Sequence, residues 1–481
     1  MMKLSKIAKC IKAAGNTVTA KNKQTIDLDK IAEVLKTSPE ALQQFEQKYQ
    51  SLLDNEPISD NFFEVNAKQA ASAHDDIIAN HPDVNDMITR IVNELLNDTP
   101  VWSYDGKTIK ASNAIGEHID NPVTNAEIKT LPVNLRPQCT GSLAQVDING
   151  ESYIHLVDMW MRHKNATNPK DRQMYYHMFR QGLDILDLDG ITYEMLGTNP
   201  NAMGNWLPQI AEAVIAGGFF KIPKTTIIKV PLPLLQLTRL EYATLTRTTL
   251  DIVDEFCQKI FDLDESKDYF IKTGTFSSKF DFRNARVTGA KEVRELGEYL
   301  VFIQNQATMM AGPLTSPCRY GVSTTNEWVV REFIHDTEDN PRIYKGLPLH
   351  TEYRVFADFD TKEILGISPY WRSDVMKQRF GNSPDSNNPH NIHDYAIYVA
   401  HEATLNDRYE KNKDLVTKHI ETLLQDTENL SGQWSIDIMQ NGNDFYLIDM
   451  ALAENSALND CIPADKLKAV EENWMPVLPN K

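Results

Sequence analysis

Two aspartates near the C-terminus lie in stretches that otherwise have the composition of buried strands. Residues 434–458 are WSIDIMQNGNDFYLIDMALAENSAL, with Asp437 in the first apolar run and Asp449 in the second. The Asn-Gly pair between the two runs predicts a β-hairpin. An isolated carboxylate in a half-buried strand tends to become neutral, whereas Mg²⁺ binds one or two carboxylates together with phosphate oxygens. If both aspartates share one face of the hairpin, the pattern therefore predicts a Mg²⁺ site.

The length of the turn decides whether the two aspartates share a face. A two-residue turn at Asn441-Gly442 would pair Asp437 with Tyr446 and put Asp449 on the opposite face, because side chains alternate along a strand. A three-residue loop ending at Gly442 would put both aspartates on one face, with this glycine in a left-handed bulge position. The metal hypothesis therefore requires the three-residue loop.

A lysine followed by a loop of small residues is the second candidate. In DYFIKTGTFSSKFDF, residues 268–282, an apolar strand contains Lys272, and the next residues are rich in Thr, Gly and Ser. Such a loop can direct its backbone N–H groups toward phosphate oxygens, while the lysine adds a positive point charge. An ordinary surface turn after a strand has the same composition, so this stretch by itself leaves both interpretations open.

Two arginines lie inside further strand-like sequences, Arg331 in EWVVREFI and Arg354 in TEYRVFADF. Burying an arginine is costly unless it pairs with an anion, which favours a phosphate or carboxylate ligand. The alternative is a solvated strand face on which the arginines pair with neighbours such as Glu332 and Glu352.

The elements that must position these residues change in character along the chain. Signals up to residue 217 are mainly helical, with short β-like runs between residues 98 and 155. From residue 268 onward the alternation is typical of strands, interrupted by predicted helices near 290–310 and 394–428. The polar, turn-rich stretch 373–394 is predicted to be a mobile loop.

Composition limits the classes of function. The chain has 481 residues, 41% of them hydrophobic, which suffices for roughly three domains. A net charge of −18 argues against a dominant phosphate-tracking nucleic-acid surface. The five scattered cysteines favour a reducing cytoplasm, and no apolar run approaches the ~18 residues of a membrane span. We therefore expect a cytoplasmic protein without a membrane segment.

Other sequence motifs do not support a familiar nucleotide or metal site. The stretch Gly106-Lys107-Thr108 lacks the earlier glycine of a P-loop, since a valine stands there. His390 and His393 could bind a metal ion, but in so polar a stretch histidines are more often solvated.

The order of the stronger signals resembles the ATP-grasp superfamily over roughly residues 230–465. The strand lysine with two arginines is most similar to a divergent ATP-grasp clade of phages and bacteria. The resemblance implies that ATP lies between two α+β subdomains, that residues 273–279 form a flexible phosphate lid, and that acids of the last hairpin hold Mg²⁺. By this resemblance the catalytic residues are Lys272, Arg331 and Arg354; the nucleotide-binding residues are Lys272, Gly274, Ser277, Ser278, Glu332, Phe333 and Ile334; and the metal ligands are Asp437, Asp449 and Glu454.

One position departs from the family pattern. Most ATP-grasp enzymes have an asparagine two residues after the second acid, and this chain has Ala451 there. Glu454 or Asn455 are the nearest residues that could compensate. The departure puts the number of metal ions, and with it full activity, in question.

The predicted fold class is α+β, with a C-terminal ATP-grasp-like pair of α+β subdomains after a mainly helical N-terminal region. The predicted divisions are a small helical segment at 1–60, a mixed and mainly helical region at 61–230, and the nucleotide-binding domain at 231–481.

The resemblance implies an ATP- and Mg²⁺-dependent ligase that activates a carboxylate as an acylphosphate for attack by an amine or a similar nucleophile. Its substrate would be a small molecule or a peptide. Two alternatives stay open. One is a catalytically inactive nucleotide-binding or structural module, which Ala451 favours and the presence of Lys272 and both aspartates opposes. The other is an RNA-modifying or RNA-sealing enzyme on the same fold, so a nucleic-acid partner is not favoured but is not dismissed.

Overall fold

The computed structural model describes residues 83–139, 150–185, 193, 196–240, 242–310, 325–381 and 389–469. Its α-helices are α1 (Asp83–Leu96), α2 (Asn125–Thr130), α3 (Gly150–Asn165), α4 (Pro169–Ile185), α5 (Met203–Gly217), α6 (Leu232–Gln236), α7 (Arg247–Phe261), α8 (Phe282–Ala285), α9 (Gly289–Arg294), α10 (Leu296–Met310), α11 (Ser373–Gly381) and α12 (Pro389–Asp426). Its strands are β1 (Pro100–Tyr104), β2 (Ile109–Asn113), β3 (Phe220–Lys221), β4 (Thr225–Lys229), β5 (Tyr269–Thr273), β6 (Arg286–Val287), β7 (Glu327–Glu332), β8 (Arg342–Ile343), β9 (Leu347–Pro348), β10 (Glu352–Asp358), β11 (Glu363–Pro369), β12 (Gln433–Asn441) and β13 (Asp444–Leu452).

The described residues contain two large, mainly antiparallel sheets. The six-stranded sheet has the order β2-β1-β4-β7-β5-β6, and the five-stranded sheet has the order β11-β10-β12-β13-β3. All neighbouring strands run antiparallel except β13 and β3, which run parallel. Helices and sheets are thus both major components, and the predicted α+β class is confirmed.

Side chains alternate along each strand, so that one face of the sheet packs into a hydrophobic core and the other face points away from it. On β10 the side chains of Tyr353, Val355 and Ala357 enter one core, together with Ile436 and Ile438 of β12. Helices α5 and α12 complete this core. The intervening residues of β10 and β12 must therefore point away from it, and these residues include the polar ones that the sequence singled out.

The predicted domain boundary at residue 230 is wrong. Strand β4, which ends at Lys229, pairs with both β1 and β7 in the six-stranded sheet. Strand β3, at 220–221, pairs with β13 in the five-stranded sheet. A division at residue 230 would therefore cut both sheets, because each recruits strands from the earlier part of the chain. The predicted segment 1–60 lies outside the described residues.

The predicted mobile loop at 373–394 is helical in the part that the structure describes. Helix α11 occupies Ser373–Gly381, and α12 begins at Pro389. The buried side chains of Met376, Phe380 and Ile392 explain this, because they pack into one apolar cluster that the polar composition conceals. No helix of the described residues is both long enough and apolar enough to cross a membrane.

The hairpin turn differs from the one that the metal hypothesis required. Asn441 pairs with Asp444, so the turn consists of Gly442 and Asn443 and has two residues. Gly442 has a φ of +65°, the left-handed conformation expected of a glycine in such a turn. The predicted three-residue loop is therefore wrong.

A bulge in β13 nevertheless brings both aspartates to one face. Ile438 pairs with Leu447, but Asp437 pairs with Asp449, so Ile448 is an extra residue on the second strand. Directly opposed residues of an antiparallel pair project to the same side. The prediction that the two aspartates share a face is confirmed, although the bulge produces this arrangement and the turn does not.

Candidate functional site

A cleft lies where strands β5 and β7 of one sheet approach β12 and β13 of the other. It encloses about 850 Å³, including the part that opens to solvent. Its apolar walls include Phe270, Phe333 and Met439. Its charged lining residues interact with one another and are called the charged end: Lys272, Lys279, Arg331, Glu352, Asp437 and Asp449.

Lys272 joins the two sheets across the charged end. Its side chain lies on β5 and is only 1% exposed. Its Nζ donates to both carboxylate oxygens of Asp449, at 3.1 Å each. Burial lowers the pKa of Lys272, and the Asp449 carboxylate opposes that effect. The lysine is thus a fixed positive charge pointing into the cleft, as the sequence predicts for a strand lysine.

Arg331 also crosses between the sheets, and within the described residues it hydrogen-bonds only neutral oxygens. Its Nη1 donates to the Ile448 carbonyl at 2.6 Å, and its Nε donates to Thr225 Oγ1 at 3.2 Å. Burial lowers the pKa of Arg331 to about 10, although the nearby Asp449 carboxylate opposes this. The side chain is buried, so the alternative of a solvated strand face does not hold for this arginine.

Arg354 supports Asp437 from the neighbouring strand. The two residues face each other across β10 and β12. Arg354 Nε and Nη2 donate to the two oxygens of Asp437 at 2.7 and 2.6 Å. Burial disfavours the charged guanidinium, but the Asp437 carboxylate outweighs it and raises the pKa of Arg354. Since Arg354 does not line the cleft, its position fits holding Asp437 rather than the predicted direct catalytic contact.

Residues 332–334, predicted to bind nucleotide, line the cleft. The Glu332 N–H donates to the Lys224 carbonyl at 2.9 Å, and the Phe333 N–H donates to the Asp268 carbonyl at 3.0 Å. Within the described part of the chain, the Ile334 N–H makes no hydrogen bond. Of these three residues, Ile334 is therefore the one whose N–H can donate a hydrogen bond to a ligand.

The small-residue loop after Lys272 is divided between the cleft and the protein interior. Ser277 lines the cleft. The Gly274 N–H instead donates to the Glu327 carbonyl at 3.1 Å, and the Gly274 carbonyl accepts from the Met203 N–H at 3.0 Å. A Cβ at Gly274 would lie 2.6 Å from Glu327 Oε2. The glycine is required for close packing, and its N–H is bonded within the protein, so its predicted role in binding nucleotide would not use that N–H.

Two further predicted site residues do not line the cleft. Ser278 is buried, and its Oγ donates to Gln306 Oε1 at 2.9 Å, so its hydroxyl serves the packing of the loop. Glu454 lies in the short 3₁₀ turn after β13. Across the described ranges, no three His, Cys, Asp or Glu side chains form a group that could hold a metal ion. The predicted ligand set is thus reduced to Asp437 and Asp449, which fits Mg²⁺ because that ion needs only one or two carboxylates beside phosphate and water.

Sequence reasoning missed Glu352 and Lys279. Glu352 is a buried cleft residue, and burial raises its pKa to about 7. Lys279 Nζ contacts the Tyr370 hydroxyl and lies 4.0 Å from the centre of that ring. Alternation along β10 could have indicated Glu352, because it stands two residues before Arg354 on the same face. Lys279 gave no comparable signal, since its partner lies 91 residues further along the chain.

Comparisons with known proteins give limited information. No protein-family model matches the chain, and no curated protein matches it in sequence. Among solved structures, C-terminally truncated Cdc123 from Schizosaccharomyces pombe is similar with a TM-score of 0.34 and 12% identity, over 57% of this chain and 95% of that one. Cdc123 from the same organism is similar with a TM-score of 0.33 and 14% identity, over 56% and 93%. At these TM-scores the likeness supports no conclusion about the function of this chain.

Proposed function

We propose that the cleft binds ATP with Mg²⁺ and that the protein is a ligase of ATP-grasp type. The observation that supports this most strongly is the convergence of Lys272, Arg331 and the Asp437/Asp449 pair at one end of a cavity. They come from four strands of two sheets, and the same cavity also has apolar walls. A ligand with a flat, weakly polar ring and a polyanionic chain matches this polarity.

The adenine ring would lie against the apolar walls of the cleft. Phe333 and Met439 offer apolar contacts there, and the Ile334 N–H is the donor that a ring nitrogen can accept from. The Glu332 and Phe333 N–H groups are already used within the protein. This makes recognition of the base depend on one backbone donor and on shape, as in many ligand pockets.

The phosphates would occupy the charged end. Lys272, Lys279 and Arg331 supply positive charge to their oxygens, and Asp437 with Asp449 would hold Mg²⁺. When bound, Mg²⁺ neutralises part of the charge on the transferring phosphoryl group. The fixed cations act on the same charge by electrostatic stabilisation, which for phosphoryl transfer is the main contribution of the protein.

The reaction would have two steps. A carboxylate oxygen of the substrate attacks the γ-phosphorus of ATP, and the bond from that phosphorus to the β-phosphate oxygen breaks, giving an acylphosphate and ADP. An amine then attacks the acyl carbon, loses a proton, and expels inorganic phosphate. Lys272 and Arg331 would hold the phosphoryl oxygens through the first step, and the closed apolar walls would exclude water that could hydrolyse the acylphosphate.

A catalytically inactive nucleotide-binding module is the second candidate. Ala451 replaces the usual asparagine, and Glu454 does not line the cleft. Both facts reduce the ligands for a second metal ion. The paired aspartates and Lys272 remain positioned for nucleotide in either case.

Calorimetry with ATP, with and without Mg²⁺, tests the nucleotide site. We expect binding that Mg²⁺ strengthens. An absence of heat at millimolar ATP in both conditions would overturn the proposal. To separate the two candidates, ADP release is measured with Mg²⁺-ATP, a panel of carboxylic acids, and hydroxylamine as a general nucleophile. ADP release above the background of a Lys272→Met variant supports the ligase, whereas tight binding without ADP release from any acid supports the inactive module.

A further inference from the structure

Each of the two cleft aspartates already has a cation on both of its oxygens. Arg354 contacts both oxygens of Asp437 at 2.7 and 2.6 Å. Lys272 contacts both oxygens of Asp449 at 3.1 Å. A divalent cation arriving alone would have to displace a buried lysine or arginine and leave that charge without a partner, which is strongly unfavourable.

Two other cations at the same end make their hydrogen bonds to neutral groups. The hydrogen bonds of Arg331 go to backbone carbonyls and a threonine hydroxyl, and that of Lys279 goes to the Tyr370 hydroxyl. In the described part of the chain, neither has a carboxylate oxygen within 4.0 Å of its charged nitrogen atoms. Glu352 and Asp437 attract Lys279, and Asp449 attracts Arg331, without forming an ion pair with it. An anionic ligand can therefore still bind both cations directly, which would offset the cost of burying their charge.

We infer that the charged end of the cleft is an anion site that takes a polyphosphate chain without a metal ion, and that Asp437 and Asp449 accept a divalent cation only after that chain has bound. This inference rests on the proposed function and specifies its binding order. Phosphate oxygens would bind Arg331 and Lys279 first and would then compete with Asp449 for Lys272. Once Lys272 turns to phosphate, the freed Asp449 carboxylate and the phosphate oxygens together form the ligand set that Mg²⁺ prefers.

A nucleoside triphosphate and inorganic tripolyphosphate share this chemistry, and titrations on the full chain separate them. The five titrations use Mn²⁺ alone, tripolyphosphate with chelator, ATP with chelator, tripolyphosphate with Mn²⁺, and ATP with Mn²⁺. We expect no stoichiometric Mn²⁺ binding to the free protein, measured by the loss of the free Mn²⁺ electron paramagnetic resonance signal. We expect both polyphosphates to bind without metal, and Mn²⁺ to tighten each by about tenfold or more, or ~1.4 kcal/mol.

The outcomes distinguish this inference from the proposed function. Stoichiometric Mn²⁺ binding to the free protein, or polyphosphate binding only when metal is present, would overturn the inference and leave the ATP proposal intact. Metal-free binding of tripolyphosphate with no binding of ATP in any condition would support the anion site and overturn the ATP proposal. An absence of binding in every titration would overturn both.

A matched pair of variants locates the effect. Asp449→Asn removes the carboxylate that competes with phosphate for Lys272, so metal-free tripolyphosphate affinity should rise by about threefold to tenfold while the gain from Mn²⁺ falls below about twofold. Asp460→Asn is the control, because its carboxylate contacts the guanidinium of Arg372 at 2.7 Å outside the cleft; it should change neither value. Weaker metal-free binding in Asp449→Asn would contradict the inference, and the titrations of the unmodified protein decide the question if this variant does not fold.

Discussion

Two buried clusters of charge differ in what they face. The helix cluster consists of Arg247, Asp251 and Asp254 on α7 with Glu298 on α10. Arg247 Nη1 lies 2.8 Å from Glu298, and its Nη2 lies 2.7 Å from Asp251 and 3.8 Å from Asp254. One arginine thus serves three carboxylates, and the two helices pack so closely that a Cβ at Gly297 would lie 2.7 Å from a backbone oxygen.

The cleft cluster consists of Lys272, Lys279, Arg331, Arg354, Glu352, Asp437 and Asp449. Its four cations face three carboxyl groups, and within the described residues Arg331 hydrogen-bonds only neutral oxygens. This cluster lines or supports the cleft between the two sheets. Burial of charge is therefore not in itself a sign of function. The combination of excess positive charge with open space separates a ligand site from a packing contact.

The largest effect should come from removing the cation of the helix cluster. Arg247→Met leaves three carboxylates in a buried contact without their arginine. We expect the free energy of unfolding to fall by roughly 3–5 kcal/mol, the usual cost of breaking a buried ion pair. Urea unfolding measures this, and the ATP affinity of the protein that remains folded should be unchanged. A loss below about 1 kcal/mol would mean that the helix cluster is as dispensable as a surface ion pair.

The cleft cluster should respond in the opposite sense, with a large effect on ligand affinity and a small one on stability. Lys272→Met should weaken Mg²⁺-ATP binding by roughly 1.5–3 kcal/mol, the value of a hydrogen bond to a charged group. Calorimetry measures the affinity. Lys413→Met is the control, because that lysine pairs with Glu410 on the exposed face of α12. Equal affinities for the two variants would remove Lys272 from the nucleotide site.

Both clusters contain or adjoin a carboxyl group whose pKa is raised in the folded protein. Burial raises the pKa of Asp254 well above its usual range, and Glu298 adds to this. In the cleft, burial raises the pKa of Glu352 from 4.5 to about 7. A raised folded pKa contributes stability at low pH that is lost as pH rises through it. The contribution of these two carboxyl groups to the free energy of unfolding should therefore fall as pH rises, for Glu352 between about pH 5 and about pH 8.

Substitutions divide this pH dependence between the two clusters. Glu352→Gln should remove the part of the fall near pH 7 and alter ATP affinity. Asp254→Asn should remove a separate part and leave ATP affinity unchanged. Urea unfolding at a series of pH values measures both. A slope near pH 7 that Glu352→Gln leaves unchanged would contradict the assignment of this part to Glu352.

The smallest expected effect concerns the loop 273–279, predicted from sequence to be mobile until nucleotide binds. The Thr273 N–H donates to the Phe276 carbonyl, the Phe276 N–H donates to the Thr273 hydroxyl, and Gly274 is bonded to Glu327. We therefore expect amide exchange to slow on adding Mg²⁺-ATP mainly at 277–279, measured by hydrogen–deuterium exchange. Exchange that is unchanged throughout the loop would contradict a phosphate contact there.

Some features of the cleft could be predicted from the sequence, because they depend on the alternation of apolar and polar residues along a strand. The strand position of Lys272 and the apolar run around Arg331 follow from the period of two residues. The shared face of Asp437 and Asp449 was predicted correctly, but it was attributed to a three-residue loop. A bulge at Ile448 produces it, and no glycine or proline marks that position.

Features that depend on distant contacts were not predictable in this way. Gly274 has the composition of a flexible loop, yet it packs against Glu327, which approaches it only in the folded chain. Strands β3 and β4 lie before the predicted boundary at residue 230, and their pairing with β13 and β7 depends on contacts far along the chain. Lys279 lies in the cleft because the folded chain brings it to Tyr370, 91 residues further along the sequence.

A crystal structure with Mn²⁺ and a non-hydrolysable ATP analogue would test the nucleotide site at the level of atoms. We expect the base beside the Ile334 N–H, the phosphates beside Lys272 and Arg331, and an anomalous Mn²⁺ peak within about 2.5 Å of carboxylate oxygens of Asp437 and Asp449. Nucleotide bound outside the cleft, or a Mn²⁺ ion that touches neither aspartate, would contradict the proposed site.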